Sequence, residues 1–118
     1  MMTLVSRLRM AAHPDRLRIL GLCAHADLTV CEIAEILGVC RERVARHVRL
    51  LARADFLCCS EQPPWRSYHL KAGSNDGGLV QLLVDLLPHR DGYHKQDLQR
   101  LEAVRDTRPK GTACLIVK

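Results

Sequence analysis

The six cysteines are the side chains of this sequence whose chemistry includes metal binding and oxidation. Cys58 and Cys59 are neighbours in a predicted strand, and Cys31 lies near the start of a predicted helix. Thiolates are soft ligands that suit Zn²⁺, Cu⁺ or a thiophilic metalloid. Neighbouring strand residues point to opposite faces, so these two would share one ion only if the strand bends. A third ligand could come from Cys31 or from Cys114.

A structural role is the alternative for each cysteine, because a free cysteine is often a small buried hydrophobe. Cys23, which has apolar neighbours, is expected in the core. We therefore take Cys31, Cys58 and Cys59 as candidate metal ligands and keep burial as the competing interpretation.

A second group combines carboxylates and imidazoles, which bind zinc in proteins. It lies around the predicted break between the last two helices, where Pro88 interrupts the pattern. We expect a solvated, charged loop here rather than a metal site. The residues are Asp85, His89, Asp91, His94 and Asp97.

The strongest pattern is a basic amphipathic helix from about residue 41 to 54. Val44, Val48 and Leu51 form its buried stripe. A planar arginine can donate two hydrogen bonds to guanine, and further arginines can contact phosphates. A solvated basic face without a ligand is the alternative. The candidate DNA-contacting residues on this helix are Arg41, Glu42, Arg43, Arg46, His47 and Arg49.

These candidates differ in their expected roles. Glu42 could accept a hydrogen bond from cytosine or orient nearby arginines. Arg49 and Arg53, further along, are expected to meet phosphates. His47 lies nearer the side of the helix and either contacts the DNA backbone or packs against the scaffold.

Preceding elements complete a helix-turn-helix pattern. Thr29 and Glu32 match a capping box at the start of a helix over residues 30–37. Gly38 is suited to the left-handed residue that ends this helix. Two further helices are predicted over residues 4–10 and from Pro14 to about residue 24. A tight glycine turn between a short helix and a basic helix is typical of DNA-binding proteins.

A β-hairpin is predicted next, with strands over residues 56–60 and 66–70 and prolines at its tip. Arg66 lies just past the tip, where it either meets DNA or is an ordinary exposed arginine. Helices over 79–87 and about 94–105 follow. We expect one mainly α winged helix-turn-helix domain over residues 1–108 and a flexible tail over 109–118.

Composition agrees with this interpretation. The chain has 118 residues, a formal net charge of +5, and few aromatic residues. A positive charge favours a polyanionic partner, and a small aliphatic core favours completion by a second subunit. Neither a membrane span nor a secretory signal is evident, which predicts a cytoplasmic protein with reduced thiols. The absence of Cys-x-x-Cys argues against a thiol redox enzyme.

Residues 29–57 resemble the ArsR/SmtB family of repressors; their sequence is TVCEIAEILGVCRERVARHVRLLARADFL. HPDRLRIL at 13–20 and RSYHL at 66–70 are similar to its upstream segment and its wing. The resemblance implies a homodimer that binds a palindromic operator and is released by an inducer. It also implies that the first helix and the helix over 79–87 form the dimer interface.

Three differences from the family pattern affect which properties of the family the resemblance implies for this chain. Cys40 replaces the usual capping serine, and Asp55 stands where glycine usually ends the recognition helix. Thr29-Val30-Cys31 stands where arsenic sensors have Cys-Val-Cys, so that site lacks one thiolate. The expected inducer is a thiophilic metal or metalloid, or a thiol-oxidising signal.

A different comparison points to another kind of signal. Residues 83–91 and 98–105 resemble the linker of ArsR-type regulators fused to a methyltransferase. The alternative is therefore a regulator that answers to a small metabolite, with cysteines that are only structural.

Overall fold

The computed structural model describes residues 3–62, 65–71, 78–90 and 93–107. These residues form six helices and one two-stranded antiparallel hairpin. The elements in chain order are α1 (Leu4–Ala11), α2 (Pro14–Cys23), α3 (Val30–Leu37), α4 (Arg41–Arg53), β1 (Leu57–Gln62), β2 (Trp65–Leu70), α5 (Leu79–Arg90) and α6 (Tyr93–Thr107). The expected mainly α winged helix-turn-helix architecture is confirmed.

Local signals explain where the helices begin and end. Thr29 accepts from the amide of Glu32, and the Glu32 carboxylate accepts from the amide of Thr29, which completes the predicted capping box. Gly38 has φ of 71°, the left-handed conformation that glycine adopts without strain. Pro14 occupies the first turn of α2, where its missing N–H costs nothing.

An aliphatic core lies between the helices and the hairpin. Phe56 is its largest fully buried side chain, and Ile19, Leu20, Ile33 and Val48 are also fully buried. Helix α4 packs on α2, α3 and β1, while α6 packs on α2 and α3. The second helix of the helix-turn-helix is therefore supported along one side and open on the other.

The hairpin is anchored to the helical body by a short bridge before α3. Leu28 and Tyr68 exchange two backbone hydrogen bonds of 3.0 and 2.8 Å. The strands pair in a regular register that sets Cys58 opposite His69 and Cys59 opposite Tyr68. The β1–β2 hairpin, called the wing below, is therefore joined to the start of the helix-turn-helix as well as to its end.

The end of α5 differs from the prediction. The sequence places a helix end at Pro88, whereas α5 continues to Arg90. A proline removes one N–H donor and clashes with the preceding turn, but only two residues follow it here. The cost therefore falls on the last turn alone. Compared with the prediction, β1 begins one residue later and ends two residues later, and β2 begins one residue earlier and ends as predicted. Residues 109–118, predicted as a flexible tail, lie outside the described residues.

Candidate nucleic-acid interface

Helix α4 carries two chemically distinct faces. The buried side chains are Val44, Val48 and Leu51, as predicted, together with His47. The exposed side chains are Arg41, Glu42, Arg43, Arg46, Arg49 and Arg53. Five arginines and one carboxylate thus lie on a face that no other described element covers. This arrangement can bind a polyanion and can present planar donors to base edges.

The N-terminus of α4 lacks a side-chain cap. Cys40 occupies the N-cap position with extended backbone, and it makes no capping hydrogen bond. A thiol is a weak acceptor, which agrees with the poor cap expected from the sequence. The amides of the first turn are therefore available to another acceptor, such as a phosphate.

The C-terminus of α4 is closed by a left-handed residue. Asp55 has φ of 66°, and the amide of Phe56 donates to the carbonyl of Leu51 at 2.9 Å. This pattern normally uses glycine. Aspartate tolerates the left-handed region better than most residues, and Lys71 Nζ lies 3.1 Å from Asp55 Oδ1.

One side chain of α1 also holds this end of α4. Arg7 Nε donates to the carbonyl of Ala54 at 2.8 Å, and Nη2 donates to that of Asp55 at 3.4 Å. Its guanidinium lies 4.5 Å from the centroid of the Phe56 ring. Cations stabilise the carbonyl end of a helix, so Arg7 fixes where α4 stops.

His47 connects α4 to α2. Its Nδ1 accepts from Arg16 Nε at 3.1 Å, and its ring centroid lies 4.7 Å from that of His13. Its Nε2 is buried without a hydrogen-bond partner, 4.0 Å from Asp15 Oδ2. Burial lowers the pKa of His47, and the nearby His13 and Arg16 lower it further, while Asp15 opposes them.

Among the described residues, one group brings three potential metal ligands together. Ligand atoms of His13, Asp15 and His47 lie within 4.8 Å of one another. Arg43 Nη2 is also 3.6 Å from Asp15 Oδ2. His13 and Asp15 were not predicted as ligands, because nothing in the sequence pairs the start of α2 with the middle of α4.

The three cysteines proposed as ligands lie on different elements or faces. Cys31 is half-buried in the first turn of α3, where Arg41 Nη1 lies 3.5 Å from its Sγ. Cys58 is half-buried and Cys59 exposed, as expected for neighbours on a regular strand. Burial raises the pKa of Cys23 to about 12, which agrees with its expected core position. Cys114 lies outside the described residues.

The wing presents one charged pair. Arg66 and Glu61 face each other across the hairpin, with 2.7 Å between Nη2 and Oε2, and both are exposed. Tyr68 is buried beside them, and a hydrogen bond between Tyr68 and Arg66 raises the pKa of the arginine. Arg66 thus remains a cation near the hairpin tip.

The acidic and histidine group around the last two helices is not uniformly solvated. Asp97 is only 2% exposed and accepts two hydrogen bonds from Arg18. The expectation of a solvated loop was wrong for this residue, because α6 packs on α2 and brings the carboxylate to a buried cation. Asp85 is exposed and is bonded by Gln81. The side chains of His89 and Asp91 lie outside the described residues.

Apolar side chains are exposed on two other helices. On α1, Leu4, Val5 and Leu8 are 59%, 58% and 42% exposed. On α5, Leu82 and Leu86 are 58% and 44% exposed. Spacings of one turn place the members of each group on one side of their helix.

The comparison with family models agrees with this geometry. Residues 13–57 match the model described as "Bacterial regulatory protein, arsR family". The chain carries an ArsR-family helix-turn-helix. The match begins at His13, just before α2, and ends in β1, so it includes the whole of α4.

A solved structure shows the same fold. Reduced HlyU from Vibrio cholerae N16961 is similar with a TM-score of 0.60 and 23% sequence identity. The similarity covers 70% of this chain and 81% of that one. No curated protein matches the sequence. The ArsR-family segment of this chain is thus set in a fold already seen in a solved structure.

No helix within the described ranges is long and apolar enough to cross a membrane.

Proposed function

We propose that this ArsR-family regulator is a cytoplasmic, dimeric transcriptional repressor that binds a palindromic operator and is released by an inducer. The observation that carries the proposal is the open, arginine-rich face of α4 beside a fully buried stripe. Helix α4 packs on α2, α3 and β1, so its arginines project from a backbone held in a fixed position. Recognition helices of this kind place their N-terminal residues in the major groove.

The position of each side chain along α4 suggests its role. Arg41, Glu42, Arg43 and Arg46 are exposed and nearest the N-terminus, so we assign them to base edges and adjacent phosphates. Arg49, one turn further, is assigned to a phosphate. His47 is 7% exposed, which favours a scaffold role over a DNA contact.

The wing is proposed to add a second contact. Arg66 is exposed on the hairpin and currently pairs with Glu61. An exposed ion pair of this type is worth little, so a phosphate can replace the carboxylate at small cost. The hairpin is held to the helical body at Leu28, which keeps Arg66 in a defined place.

The dimer is proposed to form through α1 and α5. Their exposed leucines and valine are the large hydrophobic side chains that the described fold leaves in solvent. Apolar patches of this kind mark interaction surfaces. A two-fold dimer would place two copies of α4 on successive turns of the same DNA face.

The inducer is proposed to be a thiophilic metal or metalloid, or a thiol oxidant, acting at Cys31, Cys58 and Cys59. Cys31 supports this most directly, because Arg41 Nη1 lies 3.5 Å from its sulfur. A ligand or oxidation at that sulfur would disturb the first arginine of α4. The similar HlyU structure is described as reduced.

Titration of the reduced protein on its own upstream DNA, followed by fluorescence anisotropy, tests the proposal. If the protein makes six to ten phosphate contacts, raising the salt from 50 to 200 mM should lower its affinity for DNA by a factor of about 10³–10⁵. Arg46→Glu should abolish binding, whereas the same change at Arg105, exposed on α6, should leave most of it. Salt-insensitive binding, or a functional Arg46→Glu variant, would overturn the assignment.

The same assay identifies the inducer. Arsenite, Zn²⁺, Cd²⁺ or a thiol oxidant should release the DNA, and Cys58→Ser with Cys59→Ser should remove that response. If none of these agents releases the protein from DNA, the thiol-based inducer is ruled out, and the search for the signal moves to small metabolites.

A further inference from the structure

We infer that His13, Asp15 and His47 form a binding site for one divalent transition-metal ion between α2 and α4. This site differs from the proposed cysteine site in its ligands, its place and the ions that it suits. Two imidazoles and a carboxylate are borderline to hard ligands that fit Zn²⁺, Co²⁺ or Ni²⁺. The site does not depend on the proposed DNA binding.

The geometry supplies the first argument. One ligand atom from each of the three side chains lies within 4.8 Å of the other two, before any ion draws them together. His13 immediately precedes α2, Asp15 lies in its first turn, and His47 is in the middle of α4. The ligands thus come from two rigid helices that already pack on each other.

The state of His47 supplies a second, independent argument. Its Nε2 is buried and has no hydrogen-bond partner, and it faces Asp15 Oδ2 at 4.0 Å. An unpaired buried polar atom is unusual in a folded protein. Neutral imidazole is the form that binds metals, and a metal ion at Nε2 would give this buried atom the partner that it lacks.

Metal binding has to replace two existing contacts, that of Arg16 with His47 and that of Arg43 with Asp15. Because Nδ1 of neutral His47 accepts from Arg16 Nε, the ring proton is on Nε2. An ion at Nε2 moves that proton to Nδ1, so Arg16 Nε must turn away, while Arg16 Nη1 keeps its separate hydrogen bond to the carbonyl of Met10. The ion also takes Asp15 Oδ2 from Arg43, which lies 3.6 Å away.

These exchanges give the site a specific consequence. Arg43 is exposed and belongs to the first turn of α4, so releasing it changes a side chain that we assign to DNA. The ion would also link α2 to α4 directly. This consequence rests on the proposed function, whereas occupancy of the site does not.

Co²⁺ titration of the reduced full chain, without DNA, tests the site. Tetrahedral Co²⁺ held by imidazole and carboxylate has visible d–d bands, and thiolate ligands add strong sulfur-to-metal charge transfer in the near ultraviolet. We expect one equivalent per chain with d–d bands and no charge transfer. The same bands should persist when Cys31, Cys58 and Cys59 are changed to serine.

Two double variants separate this site from other histidines. His13→Asn with His47→Gln should lose the bands, while asparagine keeps the N-cap of α2 and glutamine can still accept from Arg16. The matched control is His25→Asn with His94→Gln, a pair whose ring centroids are 6.1 Å apart. It should leave the titration unchanged.

Two further measurements decide the matter if the first double variant fails to fold. Nitrogen-15 spectra of the wild-type imidazoles should show the proton of His47 move from Nε2 to Nδ1 as Zn²⁺, which is diamagnetic, is added. Arg43→Gln should lower the Kd for Co²⁺ by about threefold, the worth of a part-exposed ion pair. The inference is wrong if Co²⁺ does not bind, if only thiolate bands appear, or if the His47 tautomer does not change.

Discussion

Arg18 holds the buried carboxylate of Asp97 through two parallel hydrogen bonds, 3.0 Å from Nε and 2.9 Å from Nη2. The two residues are 79 positions apart in the sequence, and they join α2 to α6. Asp97 is 2% exposed at its side chain and Arg18 is 12% exposed. Helix α6, the last of the described helices, is thus tied to α2, the first helix of the ArsR-family segment.

Removing the carboxylate should cost much of the stability of the domain. Asp97→Ala leaves the Arg18 guanidinium largely buried without its main partner, and breaking such a pair typically costs about 3 kcal/mol. Urea unfolding followed by circular dichroism measures the change. Glu61→Ala breaks the exposed pair with Arg66 and should leave the stability nearly unchanged, because solvent screens an exposed ion pair. Equal effects of the two substitutions would contradict the structural role of Asp97.

A better cap should stabilise α4. Cys40→Ser supplies a hydroxyl acceptor at an N-cap position that now has no side-chain hydrogen bond, and we expect a gain of about 0.5–1 kcal/mol. Thr29→Ala removes a cap that is present, so it should lose about 1 kcal/mol. Thermal melts of both variants give the comparison. A serine that leaves the melting temperature unchanged would mean that Cys40 is already an adequate cap.

The stability should fall as the pH decreases through the titration of His47. Its pKa in the folded protein is lowered by burial, by His13 and by Arg16, below the ordinary value of 6.5. The unfolded chain therefore binds the proton at higher pH than the folded chain does. The free energy of unfolding is unaffected above the ordinary value and decreases as the pH drops below it.

Substitution isolates this contribution. Urea midpoints between about pH 8 and pH 5 should fall less steeply for His47→Gln than for the wild type. Thr29→Ala, which removes no titratable group, should keep the wild-type slope. Parallel curves for His47→Gln and the wild type would rule out His47 as the source.

The dimer should depend on the exposed leucines of α5. Leu82→Asp with Leu86→Asp places two charges where the proposed interface buries apolar surface, and burying an unpaired charge is costly. Light scattering should show a monomer, and operator affinity should fall with it. Gln99→Asp, on the exposed side of α6, should remain dimeric. A dimeric double variant would place the interface elsewhere.

The helix-turn-helix was predictable because its signals are local. The capping box at Thr29 and Glu32, the turn at Gly38 and the stripe from Val44 to Leu51 each depend on residues a few positions apart. The same holds for Asp55, whose left-handed backbone agrees with the glycine it replaces. Patterns of this range are visible without knowing what packs against them.

The contacts behind α4 could not be predicted in this way. His47 meets His13 and Arg16 across 34 and 31 positions, and Asp97 meets Arg18 across 79. These pairings follow from how the helices dock, and no short spacing encodes them. The sequence placed His47 at the side of the helix, and only the packing of α2 shows that it is buried.

The contact of Arg7 with the end of α4 has a consequence for the spacing of the two α4 helices in the proposed dimer. In the proposed dimer, α1 lies in the interface together with α5, and Arg7 bonds α1 to the carbonyls of Ala54 and Asp55 at the end of α4. The distance between the two copies of α4 would then depend in part on how α1 pairs with its partner copy. Half-sites read by dimers of this kind lie about 34 Å apart, so in the proposed dimer the Arg7 contact would help to match the spacing of the two α4 helices to the DNA.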